Sequence, residues 1–514
     1  MDRSNRNKAI MKNGVVGIVS QCLIMVLSFL SRSVFLEYIG EELLGINSTF
    51  ASVLDALSLG ELGFQSAIVF MLYKPLQEGN QNRINAIVNL LKTLYRYVGI
   101  FFIVASVAVL PLLKFILKGV TVTPQIYLFF LLQSSVSVVS YFLAYPRSLL
   151  YADQKEYLTK LVDMVIVSAF TIVNIVALIY VRSYTLFLVL RIVSVVCSNL
   201  VVFRYYRKQY PFVHKVSVDR ALFREAWGNT KDIFLARIAG FLYKSIGNLV
   251  ISAFISTVTV AFYGNYSIVL TSLRTTVESA MTSMIPIIGN SLASANTMEE
   301  KRVFFKQYSH VRYLIALVVV IPFVLLIDHF IGFWVGAEYV LSSAIKYLMA
   351  VDLYIHLVHT PTYEFITASG LFREERNIEI AGAVINVILS IIGVHLLGLP
   401  GVLLGTVVSQ TVFWICRSNL VHKKCLDRAG AEHLKYWLRE GAYGIVFVVC
   451  LLVCKLATDA LCLSGVLGFL IGGVVCELIV FVFILVVLQG VPENRAVLRS
   501  VYKKIRKTNI NEGA

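Results

Sequence analysis

The sequence predicts an all-α polytopic membrane protein, with about 14 transmembrane helices in two six-helix lobes plus two extra C-terminal helices and both termini cytoplasmic. Three observations carry that reading. Apolar runs of about 20 residues, long enough to cross a bilayer, recur along the entire chain. Only 15% of the 514 residues are charged and 58% are hydrophobic, whereas soluble domains carry about 25% charge. The basic residues also crowd into alternate connecting segments.

Helices are expected at 13–37, 44–72, 86–112, 124–150, 157–181, 184–204, 233–256, 259–291, 309–331, 341–368, 377–397, 400–421, 437–457 and 463–489. The basic segment Met1 to Asn13 leads straight into the first apolar run with no small-residue cleavage pattern, so that run is expected to remain as a helix. With a cytoplasmic N-terminus, the inside segments hold about 35 of the 46 Lys and Arg residues. They include Arg3, Arg6, Lys8 and Lys12 at the start, Arg147 and Arg312 in between, and Arg495, Arg499, Lys503, Lys504, Arg506 and Lys507 at the end. The outside loops hold only Lys114, Lys118, Arg182, Lys346 and Lys455. Such a bias sets orientation. The formal charge of +16 then reports topology and contact with anionic membrane lipids, and no nucleic acid partner is expected.

The longest cytoplasmic loop suggests an N-terminal lobe over 1–210, a linker over 211–232 and a C-terminal lobe over 233–430. Two additional helices and a basic tail fill 431–514. Gly45-Ile46-Asn47-Ser48 and Gly264-Asn265-Tyr266-Ser267 open the second and eighth helices alike, a faint echo of the two-lobe plan with a midplane cavity. There is no G-x-x-x-x-G-K-[ST] segment, so no nucleotide-hydrolysing module is expected. A gradient or the membrane potential would have to drive movement. The eight cysteines show neither metal-ligand nor disulfide spacing. Neither a cofactor nor a metal is expected.

Chemistry concentrates between Leu235 and Met284, read as two consecutive spanning helices that carry full charges. Arg237 and Lys244 are seven residues apart on one face, joined by Asn248. Arg274 and Glu278 are four apart, close enough to pair. A charge at mid-bilayer costs about 2.5–3.5 kcal/mol on insertion scales, a cost that persists where charges line a wet cavity. Together with Arg32, Arg96 and Arg191 these cations are the substrate-binding candidates. The alternative is that each snorkels to an interface or pins helices through a carboxylate. Arg suits an anionic cargo because its planar fork matches phosphate oxygens two at a time.

The intramembrane carboxylates Asp55, Glu61, Asp163, Glu278, Asp352 and Glu364 are either proton or sodium coupling sites or plain neutralisers of a nearby cation. Asp352, His356, His359 and Tyr363 form one stripe on the tenth helix, open to reading as a proton relay, a metal site or polar lining. The ion-coupling candidates are thus Glu61, Glu278, Asp55, Asp352, His356 and His359. Pro146, Pro286, Pro322 and Pro361 are expected to bend their helices.

Two segments carry a family likeness. Val34-Phe35-Leu36-Glu37-Tyr38-Ile39-Gly40-Glu41-Glu42-Leu43-Leu44-Gly45 resembles the Y-x-G-x-x-x-x-G turn of Wzx-type polysaccharide flippases, and Leu59-Gly60-Glu61-Leu62-Gly63-Phe64 resembles their acidic-Leu-Gly element. The resemblance implies the multidrug/oligosaccharidyl-lipid/polysaccharide exporter (MOP) superfamily. It implies a non-enzymatic flippase for undecaprenyl-pyrophosphate-linked oligosaccharide in the bacterial plasma membrane, acting beside a polysaccharide polymerase and glycosyltransferases. A peptidoglycan-precursor flippase and a cation-coupled exporter remain the alternatives within the superfamily. Lys244 and Arg274 argue against a carrier of cationic drugs. A membrane polymerase or glycosyltransferase would show a large outside loop or an interfacial carboxylate loop, and the sequence has neither.

Overall fold

The computed structural model describes residues 3–58, 64–153, 155–216, 223, 245–281, 284–294, 297–427, 431–461 and 465–495. Among them there is no strand. The chain divides into two compact units, Met1–Gly264 and Asn265–Ala514.

The first unit contains α1 (Arg3–Ile39), α2 (Glu41–Leu57), α3 (Phe64–Glu78), α4 (Gln81–Val109), α5 (Leu113–Ile116) and α6 (Pro124–Leu143). It continues with α7 (Tyr145–Ala152), α8 (Glu156–Val181), α9 (Tyr184–Gln209) and the short α10 (Ser245–Ile255). The α1–α2 turn needs Gly40, whose φ of 97° lies in the left-handed region that side chains resist. At Gly45 the α2 backbone touches the carbonyl of Thr257, and a Cβ there would collide with it. A polar clasp ties α2, α6 and α9: Gln133 donates to the Asn47 carbonyl (3.2 Å) and the Tyr184 hydroxyl donates to Asn47 Oδ1 (3.1 Å).

The helix expected over 124–150 is divided at Ala144. Pro146 has no N–H to return to the carbonyl four residues earlier, so the ladder breaks there. In the expected 44–72 span, α2 ends at Leu57 and α3 starts at Phe64; residues 59–63, with Glu61, lie outside the described residues.

The second unit takes in most of α11 (Thr257–Met281), then α12 (Met284–Ser294), α13 (Met298–Trp334), α14 (Ser343–Ala368) and α15 (Phe372–Leu397). It ends with α16 (Leu399–Leu420), α17 (Ala431–Ala460) and α18 (Gly465–Val486). Thr297 caps α13 by accepting from the Glu300 amide at 3.3 Å. The 37 residues of α13 give a helix of about 55 Å at 1.5 Å per residue. That exceeds the hydrocarbon thickness of about 30 Å. Pro322 and Pro361 lie inside α13 and α14, and both helices continue past them.

Small residues let α15 and α16 approach closely. Gly393 and Gly401 touch backbone to backbone, Gly405 lies against Ser390, and Gly382 lies under the Phe413 ring. In lipid, close van der Waals contact of this kind replaces the hydrophobic drive that water would supply. Between α13 and α17 the rings of Tyr313 and Tyr443 stack at 4.3 Å, beside the buried thiols Cys450, Cys454 and Cys476.

Ten described helices are long and apolar enough to cross a membrane, and large apolar side chains cover the outer faces of several of them. This is a multi-pass α-helical membrane protein. Four of the expected spans, 44–72, 233–256, 259–291 and 341–368, are not among those ten. In two of them the described helix is short (α2, α10), and in the others (α11, α14) polar side chains dilute the apolar run. Those four segments hold ten of the thirteen candidate site residues.

Gly401→Val is expected to force α15 and α16 apart at an overpacking cost of about 1–3 kcal/mol or more, read as a lower thermal midpoint in detergent. Gly444→Ala, where a Cβ meets nothing within 4 Å, is the control and should leave the midpoint unchanged or raised.

Candidate functional site

The spacing of α14 aligns Asp352, His356, His359 and Tyr363 on one side of the helix. The structure gives each of them a partner, the first two from α11 and the last two from α16. Arg274 Nη2 donates to Asp352 Oδ2, and His356 Nε2 lies 2.9 Å from Glu278 Oε1. Both bridges run from α11 to α14, and both advance by four residues on each helix in the same sense. The two helices therefore run in the same direction there. Arg274 and Glu278 each reach across to α14.

Further along α14, His359 Nε2 donates to Gln410 Oε1 of α16 at 2.7 Å, and the His356 and His359 rings meet edge-on at 5.8 Å. The Arg417 guanidinium of α16 lies 5.1 Å from the centre of the Tyr363 ring. Arg417 Nε donates to Glu375 of α15 at 2.8 Å, with Glu379 at 3.7 Å. Glu364, next to Tyr363, accepts from Arg312 and from the Tyr308 hydroxyl of α13. A single helix thus gathers charged partners from α11, α13 and α16.

Exposure sorts these bridges. In the Arg312–Glu364 pair the side chains are 1% and 7% exposed, a sealed contact that holds helices together. Arg274 and Asp352 retain 19% and 12%. Glu278 is half exposed and His356 retains 21%. The α11 end of the stripe is its more exposed part. A neutral imidazole donating to a carboxylate can take up and release a proton without leaving a bare charge in an apolar setting.

In the first unit, Arg32 Nη2 donates to the Ala261 carbonyl at 3.0 Å, and its guanidinium occupies the space beside Gly264. Arg191 lies over the Phe187 ring one turn back, at 5.9 Å. Asn248 Nδ2 donates to Ser52 Oγ at 3.0 Å. Arg96 and Asp55 are exposed on their helices. Arg237, Lys244 and Glu61 lie outside the described residues. The structure thus brings Arg274, Glu278, Asp352 and His356 together in the second unit, with His359 adjoining.

Sequence reasoning passed over the partners of two carboxylates it had flagged, because Arg147 and Arg312 had been counted among the inside cations that set topology. Arg147 grips Asp163 with two hydrogen bonds (2.7 and 2.9 Å) and donates to Asn199 Oδ1 at 2.9 Å, joining α7, α8 and α9. The available signal was that both cations fall within expected helices, 124–150 and 309–331.

These features define the class: a multi-pass helical membrane protein with paired charges inside its spanning segments. No protein-family model matches the chain, and no curated protein matches it in sequence. Solved structures do match. The lipid II flippase MurJ in an inward closed conformation superimposes with a TM-score of 0.70 over 94% of this chain and 99% of its own, at 13% identity. An inward-facing multidrug resistance MATE transporter of the MOP superfamily gives 0.62 over 78% and 96%, at 16% identity. A mutant of a Vibrio cholerae MATE transporter gives 0.52 over 83% and 99%, at 12% identity. The chain has the fold these transporters share.

Arg312→Gln should leave Glu364 buried without its counter-ion, a loss of about 3–5 kcal/mol for a broken buried pair, seen as reduced yield and a lower thermal midpoint. Combining it with Glu364→Gln should recover much of the loss. If the double variant were as unstable as the single one, the contact would not be an ion pair that holds α13 to α14.

Proposed function

We propose that this chain is a flippase that moves undecaprenyl-pyrophosphate-linked oligosaccharide from the cytoplasmic to the outer leaflet of a bacterial plasma membrane, by alternating access, for surface polysaccharide assembly. The observation that carries the reading is the set of cations sunk in its spanning helices, Arg32, Arg191 and Arg274, with Arg237 and Lys244 in the same stretch of sequence. A pyrophosphate headgroup needs such groups, and a cationic drug would be repelled by them. The likeness to MurJ over 94% of the chain supports a lipid-linked cargo, since the MATE structure at 0.62 leaves more of the chain uncovered. Glycosyltransferases and a polymerase would act before and after it, and the chain itself would catalyse no covalent step.

Arg274 is the residue we assign to the headgroup in the second unit, with Asp352 as its resting counter-ion. Cargo phosphate would compete with Asp352 for the guanidinium. The Glu278–His356 pair is the coupling candidate, because it is the most open of the α14 bridges. A second reading, flipping of the peptidoglycan precursor, is favoured by the lipid II flippase that the fold resembles.

Depleting the protein in its own host should make lipid-linked oligosaccharide accumulate on the cytoplasmic leaflet while surface polysaccharide falls. Accumulated lipid II would instead establish the second reading, and unchanged pools of both would end the flippase assignment. The pair Arg274→Gln/Asp352→Asn removes both charges together, so the protein should insert at normal levels. We expect it to lose at least about ten-fold of its flipping rate, the worth of one charge-assisted contact. Wild-type flipping by that double variant would remove Arg274 from the cargo path.

A further inference from the structure

A second cationic site lies in the second unit, apart from the α11–α14 bridges. The early turns of α13, the turn after α16, the first turns of α17 and the chain just beyond α18 enclose a cavity of about 140 Å³. That is well above the 10–15 Å³ or so that one water requires. Its lining includes Arg302 and Lys306 from α13 and Lys435 and Arg439 from α17, against the single carboxylate Glu493. Each pair is spaced by four residues, so both helices turn two cations to the same opening.

The site is held in shape by contacts of its two arginines, each of which also meets a carboxylate, Arg302 that of Glu299 at 3.2 Å and Arg439 that of Glu440. Arg302 Nε donates to the Leu426 carbonyl (3.1 Å) and Nη2 to the Asp427 carbonyl (3.3 Å), which pins the turn after α16. Arg439 is bridged at 2.7 Å to Glu440 and lies 5.4 Å from the centre of the Tyr436 ring. Lys306 and Lys435 extend from exposed positions at the rim. Beside them on α17, Leu434 and Leu438 are largely exposed, each one residue before a cation of the Lys435–Arg439 pair. An anion alone would need the cations only. An amphiphile with a phosphate head uses both features.

We infer that this cavity binds the phosphate of an anionic phospholipid of the inner leaflet, with acyl chains along Leu434 and Leu438. The lysines supply compact positive charge at the rim, and the guanidiniums supply directed donors within. A bound lipid would bridge α13 to α17 and so steady the last two helices against the rest of their unit. This inference stands whatever cargo the protein carries.

The test uses the full chain in nanodiscs of phosphatidylcholine with or without phosphatidylglycerol, with retained phosphatidylglycerol counted by native mass spectrometry. Lys306→Gln/Lys435→Gln should lower its apparent affinity about ten-fold or more, as two interfacial lysines are worth. Lys208→Gln/Lys215→Gln, which removes two exposed cations of the first unit, should leave it unchanged. Leu434→Ser/Leu438→Ser should weaken lipid retention with all the cations in place. Equal retention in the lysine variant and the wild type would overturn the proposal. So would a site that takes inorganic phosphate in detergent, loses it in the lysine variant and retains no phosphatidylglycerol, since the ligand would then be a soluble phosphate compound.

Discussion

The cost of leaving a charge unmatched in hydrocarbon governs this molecule. Arg147 with Asp163, Arg274 with Asp352, Arg312 with Glu364 and Arg417 with Glu375 each bring two helices together. Stripped of its counter-ion, any of these would carry several kcal/mol of desolvation. The pairs therefore act as constraints on neighbours. They specify that α7 meets α8, α13 meets α14, and α15 meets α16 at defined levels along their axes. Apolar packing alone is tolerant of sliding, because one leucine-lined face fits another at several heights.

Within that frame α14 has the heaviest duty. It carries Asp352, His356, His359, Tyr363 and Glu364, and its partners come from α11, α13 and α16. The bridges grade from sealed to open along the helix, and that gradient separates two roles. Arg312 and Glu364 are dry, so their worth is structural. Glu278 and His356 form the most exposed of these pairs. Polar side chains keep α11 and α14 out of the set of helices apolar enough to cross a membrane by composition alone.

The glycines solve a complementary problem. Gly393 and Gly401 bring the α15 and α16 backbones into contact, and Gly45 does the same for α2 against Thr257. Where water cannot drive association, removing side chains lets dispersion forces and backbone dipoles act at short range. Gly40 has another use: its positive φ turns the chain from α1 into α2 in one residue, which explains why the turn motif in that stretch needs a glycine.

The amino-acid sequence alone determined the class and most of the spans, because hydropathy and the distribution of Lys and Arg are local quantities that need no partner. It also marked Arg274, Glu278, Asp352 and His356, since a charge in an apolar run is visible one residue at a time. It did not determine who pairs with whom. Arg274 had a carboxylate one turn away on its own helix, yet Asp352, seventy-eight positions on, accepts its hydrogen bond. Arg147 and Arg312 counted only as inside cations near helix ends, because their carboxylates lie on other helices. Spacing along a helix reports which side a residue takes, whereas partnership depends on which helices are adjacent and at what height, and only the packed tertiary structure decides that.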